Sequence, residues 1–191
     1  MVKLSVKISL ILTLALIFAQ YSKAGDNGDR QGNFYYGGYL GIRMGEINHY
    51  DISPTAGYFI TPRISIAAAG KYQFYRDKRL FSRFDSHIYG FGVTADYFII
   101  EDLNKVLPFR VHGGLFLQAE TEFLHLEREH FGPDAGENME GRFWHPIFLG
   151  GAGLRYEGDE GHFFNFLFLF ELSHSDVSLY HTPAFRIGFF F

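Results

Sequence analysis

Nine side chains, Arg43, Lys71, Asp96, Arg110, His112, Glu120, Arg155, Glu171 and Arg186, share one context: each is charged or basic, and each interrupts a run whose flanking positions are mostly apolar, aromatic or glycine. In an extended chain neighbouring residues face opposite ways, so each of the nine falls on the polar face of its segment. If those faces line an interior, the charges have to pair, because an isolated buried charge costs more than a fold of this size can absorb. The chemistry on offer is a salt-bridged core, or a narrow gated path for ions lined by the same groups.

Two other constellations stand out. His125, Glu127, Glu129, His130, Asp134, Glu137, Glu140 and His145 crowd one stretch. Imidazoles mixed with carboxylates bind divalent metals, but the spacing matches no metal-site pattern, and the stretch reads as an acidic, solvated loop. Glu171-Leu172-Ser173-His174 sets a serine beside a histidine. Adjacent strand residues point to opposite faces, so this pair reads as structural groups at a strand end. The chain has no cysteine, which excludes a disulfide framework, a thiolate zinc site and a cysteine nucleophile. Nothing in the sequence calls for a cofactor.

The elements that must hold these residues are legible from composition. The chain has 191 residues, enough for one domain, and a formal net charge of -4, which gives no pull toward nucleic acid. Aromatics make up 19% of it, with 23 Phe and 12 Tyr, and there are 22 Gly. Water must be kept off so many rings in a soluble domain, whereas bilayer interfaces favour them. Mean hydropathy is nevertheless near zero. After the N-terminus no long stretch is free of polar residues, as a bundle of membrane helices would require. Strands that meet lipid with every second residue reconcile the two observations.

Met1 to Ala24 reads as a signal peptide: Lys3 and Lys7 form the basic n-region, Ile8 to Ala19 the apolar core, and Ser22-Lys23-Ala24 a small-x-small cleavage site. Residues 25–33 follow as a short polar periplasmic arm, and 34–191 as the folded part. That part divides into eight segments of strand character: Phe34 to Gly45, Tyr50 to Ile60, Ile64 to Tyr75, Phe84 to Phe98, Leu107 to Glu122, Trp144 to Tyr156, His162 to His174 and Pro183 to Phe191. Ile64, Ile66, Ala68, Tyr72 and Phe74 share one face of the third, against Ser65, Lys71 and Gln73. In the seventh, Phe164, Phe166, Phe168, Phe170 and Leu172 oppose Asn165, Glu171 and Ser173. Thr61-Pro62-Arg63 and Glu157 to Gly161 read as short turns, and Phe123 to Phe143 as a long charged loop. Short turns at one end and longer loops at the other, with an even strand count, predict an all-β fold: an eight-stranded antiparallel transmembrane β-barrel with short periplasmic turns and longer external loops. The rival is a soluble lipocalin-like barrel, with the rows Phe164 to Phe170 and Phe185 to Phe191 turned inward.

The last segment, Phe185-Arg186-Ile187-Gly188-Phe189-Phe190-Phe191, resembles the C-terminal recognition signal of bacterial outer-membrane barrels. With Gly57-Tyr58-Phe59 and Gly92-Val93-Thr94-Ala95-Asp96-Tyr97-Phe98, the mature chain resembles the OmpA/OmpX-type small barrels and the porin-like outer-membrane β-barrel families of Bacteroidetes. That resemblance implies the outer membrane of a Gram-negative cell envelope, contact with outer-membrane lipid and lipopolysaccharide, and insertion by the barrel-assembly machinery with periplasmic chaperones as transient partners. It makes Phe185, Ile187, Phe189 and Phe191 the assembly signal.

The leading functional expectation is a non-enzymatic barrel with a structural or surface-interaction role, meeting a surface ligand or protein partner through the loop 123–143. A lipid A deacylase is the first alternative. Small barrels of PagL type carry a His-x-Ser-Asn element in a late strand; here Glu171 stands where that base belongs and His174 where the Asn belongs, which removes the base a serine nucleophile needs. The second is a narrow ion channel or transporter, since eight strands leave an interior that side chains fill rather than an open pore.

Overall fold

The computed structural model describes residues 32–43, 47–77, 84–106, 112–127, 141–158, 161–173 and 183–191. The alternating runs become β1 (Phe34–Arg43), β2 (Ile47–Phe59), β3 (Ile64–Asp77), β4 (Phe84–Ile100), β5 (Gly113–Glu127), β6 (Arg142–Glu157), β7 (Phe163–Glu171) and β8 (Ala184–Phe190), with one 3-10 turn, Leu103–Lys105, between β4 and β5. Each strand pairs antiparallel with the next, and β8 returns to β1, so the sheet closes on itself. Closure leaves no strand edge without backbone partners, the condition a sheet must meet in hydrocarbon.

The side-chain alternation runs apolar outward and polar or packed inward. On β7, Phe164, Phe166, Phe168 and Phe170 are exposed, while Phe163, Asn165, Leu167 and Leu169 are buried. On β8, Phe185, Ile187 and Phe189 face out, and Arg186, Gly188 and Phe190 face in. Outward rings pack across strands: Phe164 tilted on Phe189 at 4.7 Å, Phe168 tilted on Phe185 at 5.0 Å, and Phe91 stacked on Phe123 at 5.1 Å. A soluble carrier needs these rows inside; with Phe168 at 53% exposure they form the outer surface.

One end carries the start of β1 and Phe191, the residue that follows β8. Tyr36 and Phe191 exchange backbone hydrogen bonds there, and their rings stack. The β2–β3 turn is pinned by the Thr61 hydroxyl, which accepts from the N–H groups of Arg63 and Ile64 at 3.2 and 2.9 Å. Arg63 then reaches Glu101 beyond β4. In the β6–β7 turn Gly161 sits at φ 80, where a side chain would strain the backbone. Inside, the rings of Tyr39 and Phe190 close over Gly188: a Cβ there would come within 2.6 Å of both, so any larger residue would have to displace them.

The fold departs from the sequence reading at β5 and β6. The fifth strand begins at Gly113 rather than Leu107 and runs to Glu127, and the sixth begins at Arg142. The inner face of β5 changes from Gln118, Glu120 and Glu122 to Leu124 and Leu126. Beyond Glu122 the alternation reverses, with apolar Leu124 and Leu126 inside and His125 and Glu127 on the other face, so the polar residues no longer mark the interior and Phe123 to Phe143 reads as a charged loop in the sequence. Residues 107–111, with Arg110, lie outside the described residues. His112 is an exposed residue just ahead of β5, beside the Asn104 amide at 3.2 Å; it belongs to the link between strands and not to an interior set.

Candidate functional site: the barrel interior

The polar steps of four strands converge in the middle of the barrel. Lys71 comes from β3, Glu120 and Glu122 from β5, Arg186 from β8 and Asp51 from β2, and all five are buried. The Lys71 ammonium pairs with Glu120 and donates to Glu122 at 2.8 Å. The Arg186 guanidinium bridges Glu120 at 2.8 Å, Glu122 at 2.7 Å and Asp51 at 3.2 Å. Ser53 donates its hydroxyl to Asp51 at 2.6 Å, and the Gln118 amide donates to Glu120 at 3.1 Å. The two glutamates share both cations, the arrangement that makes a buried ion cluster tolerable.

A second cluster lies nearer the terminal end. Arg155 donates to Asn165 at 2.9 Å, and Asn165 donates to the Tyr39 hydroxyl at 2.8 Å. Ser65 donates to Asp96 at 3.1 Å. Aromatic faces crowd the Arg155 guanidinium, with ring centroids at 4.0 Å for Phe163, 4.7 Å for Phe98, 5.3 Å for Phe59 and 5.5 Å for Phe116. Cation–π attraction of this kind strengthens when water is excluded.

Both clusters are sealed. Toward the termini, Tyr35, Phe59, Phe98, Phe116, Phe163 and Phe190 form an aromatic floor. Toward the other end, Ile88, Leu124, Leu126, Ile147, Leu149 and Leu169 form an aliphatic lid, each at 0 or 1% exposure. The interior is a charged layer held between two dry ones.

A solved barrel shares this fold. The chain is similar to the N-terminal β-barrel domain of Pseudomonas aeruginosa OprF in its crystal structure, with a TM-score of 0.50 and 15% identity over 86% of this chain and 100% of that one. No protein-family model matches the chain, and no curated protein matches its sequence. At this identity the likeness establishes the architecture, a small barrel of outer-membrane type, and transfers no residue roles.

Of the nine side chains singled out in the sequence, Lys71, Asp96, Glu120, Arg155 and Arg186 lie inside. Glu171 is half-buried at the far end of β7, where Ser173 donates to it at 2.8 Å. Arg43 lies on β1 opposite His49, its side chain outside the described residues, as Arg110 is altogether. Asp51, Glu122, Gln118, Asn165 and Tyr39 complete the network and were not in that set. Asp51 was findable: Tyr50 and Ile52 flank it, and Ser53 and Thr55 continue its face. Glu122 was taken as a strand end and so not weighed as interior.

The described members of the His and carboxylate stretch, His125, Glu127 and His145, do not converge. His125 faces outward and stacks on Trp144 at 5.0 Å, while His145 is the strand partner of buried Leu124 and shares its inner face. Glu127 takes the Ser86 hydroxyl at 2.7 Å and pairs with Arg142. Glu129, His130, Asp134, Glu137 and Glu140 lie outside the described residues, as does His174. Among the described residues no group of His, Asp or Glu is arranged to hold a metal ion.

Proposed function

We propose that the chain is an integral outer-membrane protein whose filled barrel serves as a rigid, non-conducting anchor and presents its external loops to a surface ligand or protein partner. The observation that carries this reading is the inversion of the fold: phenylalanine rows outside, ion pairs inside. On β3 the outward set from Ile64 to Phe74 rises about 25 Å for a strand tilted as in small barrels. That is roughly the height of the apolar band of outer-membrane barrels. Outer-membrane lipid and lipopolysaccharide would pack against the belt. The barrel-assembly machinery would read the outward set Phe185, Ile187, Phe189 and Phe191, with periplasmic chaperones holding the chain beforehand.

The sealed interior favours an anchor over a channel. The Ser173 hydroxyl donates to Glu171, the residue standing where a deacylase would carry its base, which favours an anchor over a hydrolase. Fractionation with boiled and unboiled gel samples tests the reading. The expected result is an outer-membrane protein whose unboiled band runs faster. A soluble periplasmic protein with identical bands would overturn it.

A further inference from the structure

Between the two seals the described residues carry four carboxyl groups, Asp51, Asp96, Glu120 and Glu122, and three cations, Lys71, Arg155 and Arg186. With every one of these groups ionised the described residues of the chamber would carry one more negative charge than positive, which a low-dielectric interior disfavours. The hydrogen bonds indicate which carboxyl group differs from the others. Both oxygens of Glu120 receive donors: Lys71 on Oε1, Arg186 and Gln118 on Oε2. Glu122 receives Lys71 at 2.8 Å and Arg186 at 2.7 Å. Asp51 takes the Ser53 hydroxyl on Oδ1; its Oδ2 has no hydrogen-bond donor among the described residues but lies 3.2 Å from the Arg186 guanidinium, close enough to pair as an ion.

Asp96 is treated differently. Its Oδ2 takes only the Ser65 hydroxyl, and its nearest cation, Arg155, stands 3.9 Å away, beyond hydrogen-bond distance and embedded in aromatic rings. Its Oδ1 is buried and meets no donor among the described residues. Directly across the ladder, the strand partner of Asp96 is Gln118, whose Oε1 is likewise buried without a donor. The Gln118 amide cannot simply be flipped, because its nitrogen is committed to Glu120, and the flip would set oxygen against carboxylate. The other groups facing Asp96 are Tyr35 and Tyr39 from β1, Ser65 from β3, Glu120 from β5, Arg155 from β6 and Asn165 from β7. Neither tyrosine hydroxyl lies within hydrogen-bond distance of Oδ1; Tyr35 donates to Ser65, and Tyr39 accepts from the Asn165 amide.

We propose that Asp96 stands in the folded barrel as a neutral carboxylic acid, with the hydroxyl on Oδ1 donating to Oε1 of Gln118. One proton then satisfies two facing acceptors and leaves three carboxylates against three cations. The barrel interior is a site for a bound proton, taken up when the sheet closes around it.

Infrared spectroscopy of the full chain folded in lipid vesicles at neutral pH tests this. The expected spectrum contains a protonated-carboxyl carbonyl band that disappears in Asp96→Asn and persists in Asp51→Asn, Glu120→Gln and Glu122→Gln. Gln118→Leu should keep the band but move it, because the hydrogen-bond acceptor is gone. The folded wild-type spectrum and the Gln118→Leu shift decide the matter even if Asp96→Asn fails to fold. A wild-type spectrum with no such band overturns the proposal and means an ionised Asp96 bridged by solvent. A band that survives Asp96→Asn and vanishes in Glu120→Gln or Glu122→Gln also overturns it, and puts the proton on the glutamate pair.

Discussion

Lys71 shows how much one side chain can be asked to do in this interior. Its ammonium is the shared partner of Glu120 and Glu122, and its own side chain is 1% exposed. Lys71→Met would take the ammonium away from both Glu120 and Glu122. Removing one member of a buried ion cluster costs about 3–5 kcal/mol. The double variant Lys71→Met with Glu122→Gln removes a cation and an anion together, and should recover most of that loss. Urea titration in vesicles, with the folded fraction read from unboiled gel mobility, measures both. A single variant as stable as wild type would mean the cluster contributes little. At this scale the sequence was half transparent. Alternation showed which way Lys71, Asp96 and Arg186 point, because a one-residue slip would have turned each toward the apolar face. Alternation could not reveal which carboxylate meets which cation, since the partners lie on strands far apart in sequence: Arg186 meets Glu120 across 66 positions.

The strands were legible where the inner face is polar and obscure where it is not. β7 and β8 followed the expected alternation, whereas β5 ran on past Glu122 under Leu124 and Leu126. Periodicity assigns faces by their contrast, and β5 reverses that contrast part-way, with Leu124 and Leu126 inside against His125 and Glu127 on the other face. The glycines at the start of β5 gave no warning either: a Cβ at Gly114 would meet the Ile100 carbonyl at 2.6 Å, a constraint visible only once β4 is in place. The outer face of β7 supports a depth-dependent prediction. Phe168 lies mid-strand, while Phe164 lies near the terminal end, packed on Phe189. Arginine at position 168 should destabilise by about 2–4 kcal/mol, and at position 164 by about 0–1 kcal/mol. Folding titrations in bilayers compare them; equal costs would mean that this face does not cross hydrocarbon. Asn165, between them, is no neutral control, because it holds Arg155 and a second guanidinium there would meet the first.

The molecule as a whole is a solid cylinder. The aliphatic lid and the aromatic floor leave no aqueous route past the charged layer, so planar bilayers containing the protein should show no discrete conductance steps. Steps that change in Glu122→Gln would show instead that ions pass the cluster. Closure and strand number were readable from the even count of segments and the rhythm of turns. The lid was not, because Ile88, Leu124 and Ile147 come from three strands and only the closed sheet gathers them. The joint between β1 and β8, from Gly37 opposite Phe190 to Gly41 opposite Arg186, unites the two ends of the chain. Every other joint is completed by a local hairpin; this one must wait for the whole chain, and it has the greatest entropy to overcome. Until it forms, Arg155, Arg186 and their carboxylates can be served by water. When it forms, water has to leave and the ion pairs have to take over together. The wall is assembled piece by piece, but the chamber comes into existence at a single late moment, and its charge balance is tested only then.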